Sequence, residues 1–418
     1  MKLHKLVPGL MGLLLMVSIP FSAYAADPVR IGLIEPFSGP IAAIGLEILD
    51  NFEFAIERIN SKGGVLGGRM LEVVALDNAM NAEKTTQQVK KAIDRGIRFI
   101  SQGVGSNHAL NIIKQLDKHN KRNPDKAVLY LNHSAVTTAF TNELCSFWHF
   151  RFDANVDMKV AGLATQIGRD PSIKKIYMIN QNYAYGKSFQ AVGRRMIKER
   201  TNAELVGDDL IVPFGKVLDF TPYVAKVKAS GADTVLTGNW GPDLVRFVKA
   251  TAEAGLDVQF YTIYGGLPTS VNGYGVNDGM AVKIKQITEM HENDAHWTDR
   301  DNFESDYLSK YERSWYGERG RYILDMFVKA LEKAGTDDPK AVAYALEGMT
   351  HPGPNGELLM RAEDHQIQMA MVISTIDDKA PRKMIYAGKN VGVGWKTDGW
   401  ISRSEISQPT TCKMKRPA

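Results

Sequence analysis

Short apolar runs alternate along the chain with longer stretches in which apolar residues return every three or four positions. The first kind reads as buried strand, the second as amphipathic helix. Val29–Ile34 is the first strand. Ala42–Ile59 is the first helix, with Leu46, Leu49, Phe52, Ile56 and Ile59 near one face. A glycine-rich turn, Lys62–Arg69, leads into strand Met70–Leu76, helix Glu83–Arg95, strand Ile97–Ser101, helix His108–His119 and strand Ala127–Leu131. The pattern then restarts. Helix Lys159–Ile167 precedes strand Lys175–Ile179, helix Ser188–Glu199, strand Ala203–Val212 and helix Thr221–Ala229. Strand Thr234–Leu236, helix Asp243–Ala254 and strand Gln259–Ile263 complete this second series. Helices Asp301–Tyr311, Tyr322–Ala334 and Pro339–Leu346 come next, then two strand-like pieces, Gln368–Ile373 and Lys383–Ala387. Such alternation makes parallel sheets covered on both faces, so the fold class is α/β with two doubly wound parallel-sheet lobes.

In doubly wound folds ligands bind in the crevice outside the carboxyl ends of the strands. The first strand is followed by the loop Glu35–Gly45, shaped by glycine and proline. Ile100 is followed by Ser101-Gln-Gly-Val-Gly-Ser-Asn-His108. Gly103 and Gly105 let backbone approach a ligand. Ser106, with Asn107 beside it, stands near the start of a helix, where free N–H groups and the helix dipole favour an anion. A bound carboxylate is the physical expectation, and simple capping of the helix by Ser106 is the other reading. A dinucleotide fingerprint fails because His108 occupies the place of its third glycine, and no phosphate-binding GxxxxGK[ST] run exists. After Leu131 comes a run of small groups, Asn132–Thr138, with Ser134 and Ala135. The second series places rings at its strand ends: Tyr183 and Tyr185 after Ile179, Trp240 after Leu236, and Tyr264 after Ile263.

Met1–Ala26 reads as an export signal. Lys2 and Lys5 give a positive start, Leu10–Ile19 is apolar, and Ala23-Tyr24-Ala25 supplies the small residues of a cleavage site after Ala25. The apolar run is about half the roughly 20 residues that a membrane span needs. No cysteine near the cleavage site could carry acyl chains, so a free periplasmic protein is expected. Over 418 residues the net charge is +4, and removing Lys2 and Lys5 takes it to +2. No field of one sign is left to attract nucleic acid. The two cysteines, Cys145 and Cys412, cannot build a cysteine-ligated zinc site. An oxidising compartment lets them pair, which would tie down the polar tail Ser402–Ala418; two free buried thiols are the alternative.

Several of these segments, taken in order, resemble the periplasmic solute-binding proteins that feed ABC importers, in the branched-chain amino-acid (type I) branch. They are Ser38-Gly-Pro-Ile-Ala42, Ile59-Asn-Ser-Lys-Gly-Gly64, Ser106, Tyr185-Gly186, and Gly353 and Gly356 in Pro352–Gly356. The resemblance implies two lobes joined by three hinge crossings that close on a small molecule. It implies a signal peptide over 1–25, lobe 1 over 26–148 and 285–352, lobe 2 over 149–284 and 353–401, and a tail over 402–418. The crossings would fall near Phe147–Asp153, Ala281–Ile287 and Met349–Glu357. Ser106, Asn107, Ser134, Ala135, Tyr185, Trp240 and Tyr264 are the implied ligand contacts. The implied partners are ABC permease subunits, with membrane contact only through them, and the chain is expected to be a monomer without cofactor or metal.

Tyr264 stands where amino-acid binders of this branch place an acid for the α-ammonium, and Val136 where they place a threonine, with Thr137 next to it. A buried ammonium without a counter-charge is costly. A small carboxylate, possibly aromatic, is therefore the expected ligand, with a branched-chain or other amino acid as the alternative. An exported hydrolase would have to use Ser106 or Ser134 with His108 or His133. No GxSxG elbow or HExxH helix supports that chemistry, and His291-Glu292 has no partner at metal spacing. A periplasmic sensor subunit would use the same closure.

Overall fold

The computed structural model describes Met1 and residues 27–417, apart from 213, 277, 278, 280 and 281. The export signal lies outside the described residues except for Met1.

The first lobe is built from β1 (Val29–Glu35), α1 (Ala42–Ser61), β2 (Leu71–Asp77), α2 (Ala82–Asp94), β3 (Phe99–Gln102), α3 (Ser106–Arg122), β4 (Leu129–Asn132) and β5 (His149–Arg151). Its strands form one parallel sheet in the order β2-β1-β3-β4-β5. Ile31, Leu33 and Ile34 of β1 are all fully buried, as expected of a strand covered by helices on both faces.

The second lobe follows with α4 (Val156–Arg169), β6 (Lys175–Gln181), α5 (Ala184–Arg200), β7 (Glu204–Ile211), α6 (Thr221–Ser230), β8 (Thr234–Thr237), α7 (Gly241–Glu253), β9 (Gln259–Thr262), α8 (Pro268–Gly273) and β10 (Ile284–Thr288). Helices α9 (Phe303–Tyr311), α10 (Arg319–Ala334) and α11 (Pro339–Leu346) come next. Phe54 of α1 meets Phe303 edge-on at 5.0 Å, and Arg58 pairs with Asp306. The chain has therefore returned to the first lobe.

The strands β11 (Thr350–Gly353), β12 (Gly356–Met360) and β13 (Ile367–Gln368) form a small antiparallel sheet. The second sheet is then completed by β14 (Met371–Asp377) and β17 (Gly394–Ile401), with the two-residue strands β15 (Ile385–Tyr386) and β16 (Lys389–Asn390) between them. Its order is β17-β14-β10-β9-β8-β6-β7, with β14 and β17 antiparallel to their neighbours. The piece expected at Lys383–Ala387 is this β15–β16 ribbon. A continuous apolar core runs from the first sheet through Phe150, Phe152 and Ala154 into α4.

Three differences from the sequence reading concern the borders. The expected boundary before residue 285 cuts β10, which pairs with β9 (Ile284 opposite Phe260) and β14 (Thr288 opposite Val372). Lys285 and Gln286 interrupt its apolar residues where a crossing was expected, yet Gln286 is fully buried with Nε2 3.3 Å from Ser374 Oγ. The chain leaves the second sheet after Thr288 and rejoins it only at Met371. Finally, the tail is packed. Helix α12 (Arg403–Ile406) opens with a capping box of Ser402 and Glu405 and buries Ile406. Cys412 is bonded to Cys145, with Cα atoms 5.7 Å apart.

Candidate functional site

The turn between β3 and α3 is held from beneath by Glu35, the last residue of β1. Its buried carboxylate accepts the Gly103 N–H at 2.6 Å and the Val104 N–H at 3.3 Å. His133 Nε2 lies 3.1 Å from the same carboxylate, but out of line for a hydrogen bond. The other ring nitrogen meets Ser101 Oγ at 3.1 Å. A Cβ on residue 103 would stand 2.2 Å from Ser134 Oγ and 2.5 Å from the His133 ring, so only glycine fits. Gly105 precedes the helix with φ +91° and no side chain caps it. Ser106 is thus the first helical residue, buried, and its hydroxyl makes no hydrogen bond among the described residues. The capping role is not the one it plays.

Tyr183, Tyr185, Trp240, Tyr264 and Leu267 of the second lobe face this turn across a cleft. Their rings support one another. Trp240 stacks on Phe214 at 4.4 Å and donates from Nε1 to the Tyr183 hydroxyl at 2.8 Å. Tyr185 lies 5.7 Å from Tyr183 and 6.3 Å from Tyr264. The buried Tyr185 hydroxyl is unpaired, and burial holds its phenol well above the ordinary range.

Tyr264 joins the two lobes. Its hydroxyl lies 3.1 Å from both the Ser134 carbonyl and Asp153 Oδ2. Asp153 lies between β5 and α4, where the chain first passes between lobes, and it is fully buried. It pairs with Lys159 of α4 at 2.8 Å and with Arg319 of α10 at 2.7 Å. Arg319 reaches on to Glu289, just after β10, at 3.2 Å. Gln366, beside β13, donates to the Asp153 carbonyl at 2.8 Å. Burial would raise the Asp153 carboxyl, but Arg319 and Lys159 outweigh it and hold the group below its ordinary range.

Of the residues singled out in the sequence, Ser106, Ser134, Tyr185, Trp240 and Tyr264 line the cleft. Two do not. Asn107 is exposed, one step round α3 from Ser106. Ala135 is buried in the first-lobe core, its N–H and C=O both held by the Asn132 side chain at 2.8 Å. Val136 lines the cleft, whereas Thr137 lies outside it. His108 is turned to Thr85, Nδ1 to Oγ1 2.8 Å, and burial lowers its pKa, so it forms no pair with Ser106.

Two stretches of the wall were missed by sequence reasoning. One is the α1 face of Ile44, Glu47, Ile48, Asn51 and Phe52; the other is Tyr316, Gly317, Arg319 and Gly320. The helix face expected through Leu46 is rotated, and Leu46 is exposed. The available signal was Glu47 and Asn51, one turn apart on a face that also carries Ile44, Ile48 and Phe52.

Two doubly wound lobes with a cleft at the ends of their parallel strands define a two-lobed solute-binding protein of the type I class. A family model described as periplasmic binding protein matches residues 28–381, and the chain belongs to that family. Membership implies a periplasmic location and a binding role in transport. The chain is 31% identical over 404 residues to Leu/Ile/Val-binding protein homolog 4 of Brucella abortus (strain 2308), covering 94% of each. It is similar to the closed conformation of a leucine-, isoleucine-, valine-, threonine-, and alanine-binding protein from Brucella ovis. That match has 32% identity and a TM-score of 0.83, over 94% of this chain and 100% of the other. An ABC-transporter solute-binding protein from R. palustris, solved with 4-hydroxybenzoate, shares the fold at 18% identity and a TM-score of 0.74, over 90% and 97% of the two chains.

Proposed function

We propose that this chain captures a small carboxylate with an apolar or aromatic body between its lobes, in the periplasm, and delivers it to the permease of an ABC importer. The observation that carries the reading is the pairing of walls. The first lobe presents the start of α3 and an unpaired Ser106 hydroxyl, where a carboxylate is favoured. The second presents rings already braced by one another, Trp240 stacked on Phe214 and Tyr185 tilted against Tyr264, which can cover a flat or apolar body. Closure is selected because only the closed state makes both sets of contacts. The leader at residues 1–25 exports the chain, which works as a monomer.

The names of the 31–32% identical relatives support an amino acid as a second reading. Native mass spectrometry of the protein from a periplasmic extract, followed by calorimetry with benzoate and with leucine, tests the proposal. An organic acid should co-purify, and at least one of the two probes should bind. No retained mass and no heat from either acid would overturn it.

A further inference from the structure

The cleft has a polar socket that the carboxylate reading leaves unused. Glu47 and Asn51 stand one turn apart on α1 and both line the cleft. They are 4% and 8% exposed. Glu47 Oε2 and Asn51 Oδ1 are buried without a hydrogen-bond partner. Two buried acceptors left unpaired by the protein call for a donor from elsewhere.

The neighbouring cations are already engaged. Arg313, after α9, pairs with Asp50 on α1. Arg319 pairs with Asp153 and Glu289. Glu47 is the only acid among the described residues that line the cleft. The other titratable groups set against it are Asp50 on its own helix, Tyr307 of α9, and Arg313 and Tyr316 of the α9–α10 connection. Neither tyrosine can neutralise a carboxylate.

We propose that Glu47 and Asn51 form a subsite for a positively charged nitrogen group, so that the captured solute carries an ammonium on the α1 side as well as a carboxylate at Ser106. This rests on the carboxylate-capture reading and narrows its substrate class to zwitterions. It places the counter-charge on the first lobe, not at Tyr264, whose hydroxyl is engaged by Ser134 and Asp153. Binding also becomes linked to a proton. Burial pushes the Glu47 carboxyl up to about 7 in the empty protein, against the lowering effect of Arg313. A cation prefers the ionised form, so its arrival expels the proton that Glu47 holds below that pH.

The test compares matched pairs by calorimetry: leucine with 4-methylpentanoate, and phenylalanine with 3-phenylpropanoate. Within at least one pair the amino acid should bind about ten- to a hundredfold more tightly. It should bind about tenfold more weakly at pH 6 than at pH 8, while releasing close to one proton at pH 6 in buffers of different ionisation heat. Glu47→Gln, which mimics the neutral carboxyl, should abolish the difference within the pair and its pH dependence. Acids that bind as tightly as their amino counterparts, with no change in Glu47→Gln, would overturn the subsite and leave carboxylate capture standing. An amino acid favoured equally by wild type and Glu47→Gln would also overturn it. Silence of all four probes and of benzoate would overturn both readings.

Discussion

The two walls of the cleft are built on opposite plans. On the first lobe, polar groups are buried and left unpaired among the described residues: Glu47 Oε2 and Asn51 Oδ1 have no hydrogen-bond partner, and the hydroxyl of the buried Ser106 makes no hydrogen bond. On the second lobe, ring tips are mostly satisfied within the protein, with Trp240 bonded to Tyr183 and Tyr264 to Ser134 and Asp153. Unpaired polar groups discriminate strongly, because a ligand lacking the matching group leaves them desolvated and empty. Apolar ring faces accept many bodies of suitable shape. Under the proposed function, the first wall would choose the solute and the second would hold it.

The largest expected effect lies where the walls meet. Asp153→Asn removes the negative charge between Lys159 and Arg319 and leaves Glu289 alone beside them. Urea unfolding at pH 7 should show a loss of about 3–5 kcal/mol. A loss under about 1 kcal/mol would mean that the lobes are not organised around this pair. Next comes pH. Folded Glu47 and Glu292 keep their protons up to about 7, whereas the unfolded chain releases them in the ordinary carboxylate range. Between those limits the folded state binds more protons, so stability falls as pH rises and then levels off. Each group contributes up to roughly 3 kcal/mol. Thermal unfolding of the empty protein should follow this slope, and Glu47→Gln should flatten its share; a slope unchanged by that substitution would contradict the open-socket account of the first wall.

Two smaller effects sharpen the contrast directly. Trp240→Ala should weaken every bound solute by a similar factor, about tenfold or more. Ser106→Ala should weaken carboxylates about tenfold and their neutral amides hardly at all. Calorimetry on an acid and its amide in both variants decides between them. Selective loss in Trp240→Ala, or uniform loss in Ser106→Ala, would exchange the roles of the walls.

Features that depend on a few adjacent residues were legible in the sequence. The strand, glycines and serine of Ile97–Ser106 announce a turn at a helix start, and the structure places Ser106 there. The alternation of strands and helices likewise led to the parallel first sheet and to the parallel part of the second, but not to its antiparallel strands β14 and β17. What escaped was set by distant packing. The cleft-facing side of α1 depends on where α9 and α10 return, far along the chain. The Asp153–Arg319 pair joins residues 166 positions apart. Strand β10 escaped because its polar residues are buried by pairing rather than marked by composition. Asn107 was drawn into the reading by adjacency to Ser106, but successive residues of a helix point in different directions.

The packed tail adds one mechanical consequence. After β17, helix α12 stays with the second lobe, where Arg200 donates to the Glu405 carbonyl at 2.9 Å. A few residues later Thr410 bonds to the Thr141 carbonyl, and Cys412 is fastened to Cys145 on the first lobe. In the oxidised protein the halves thus share a fourth covalent tether, and the short run between Ile406 and Thr410 acts as a leash whose slack bounds how far the jaws can swing.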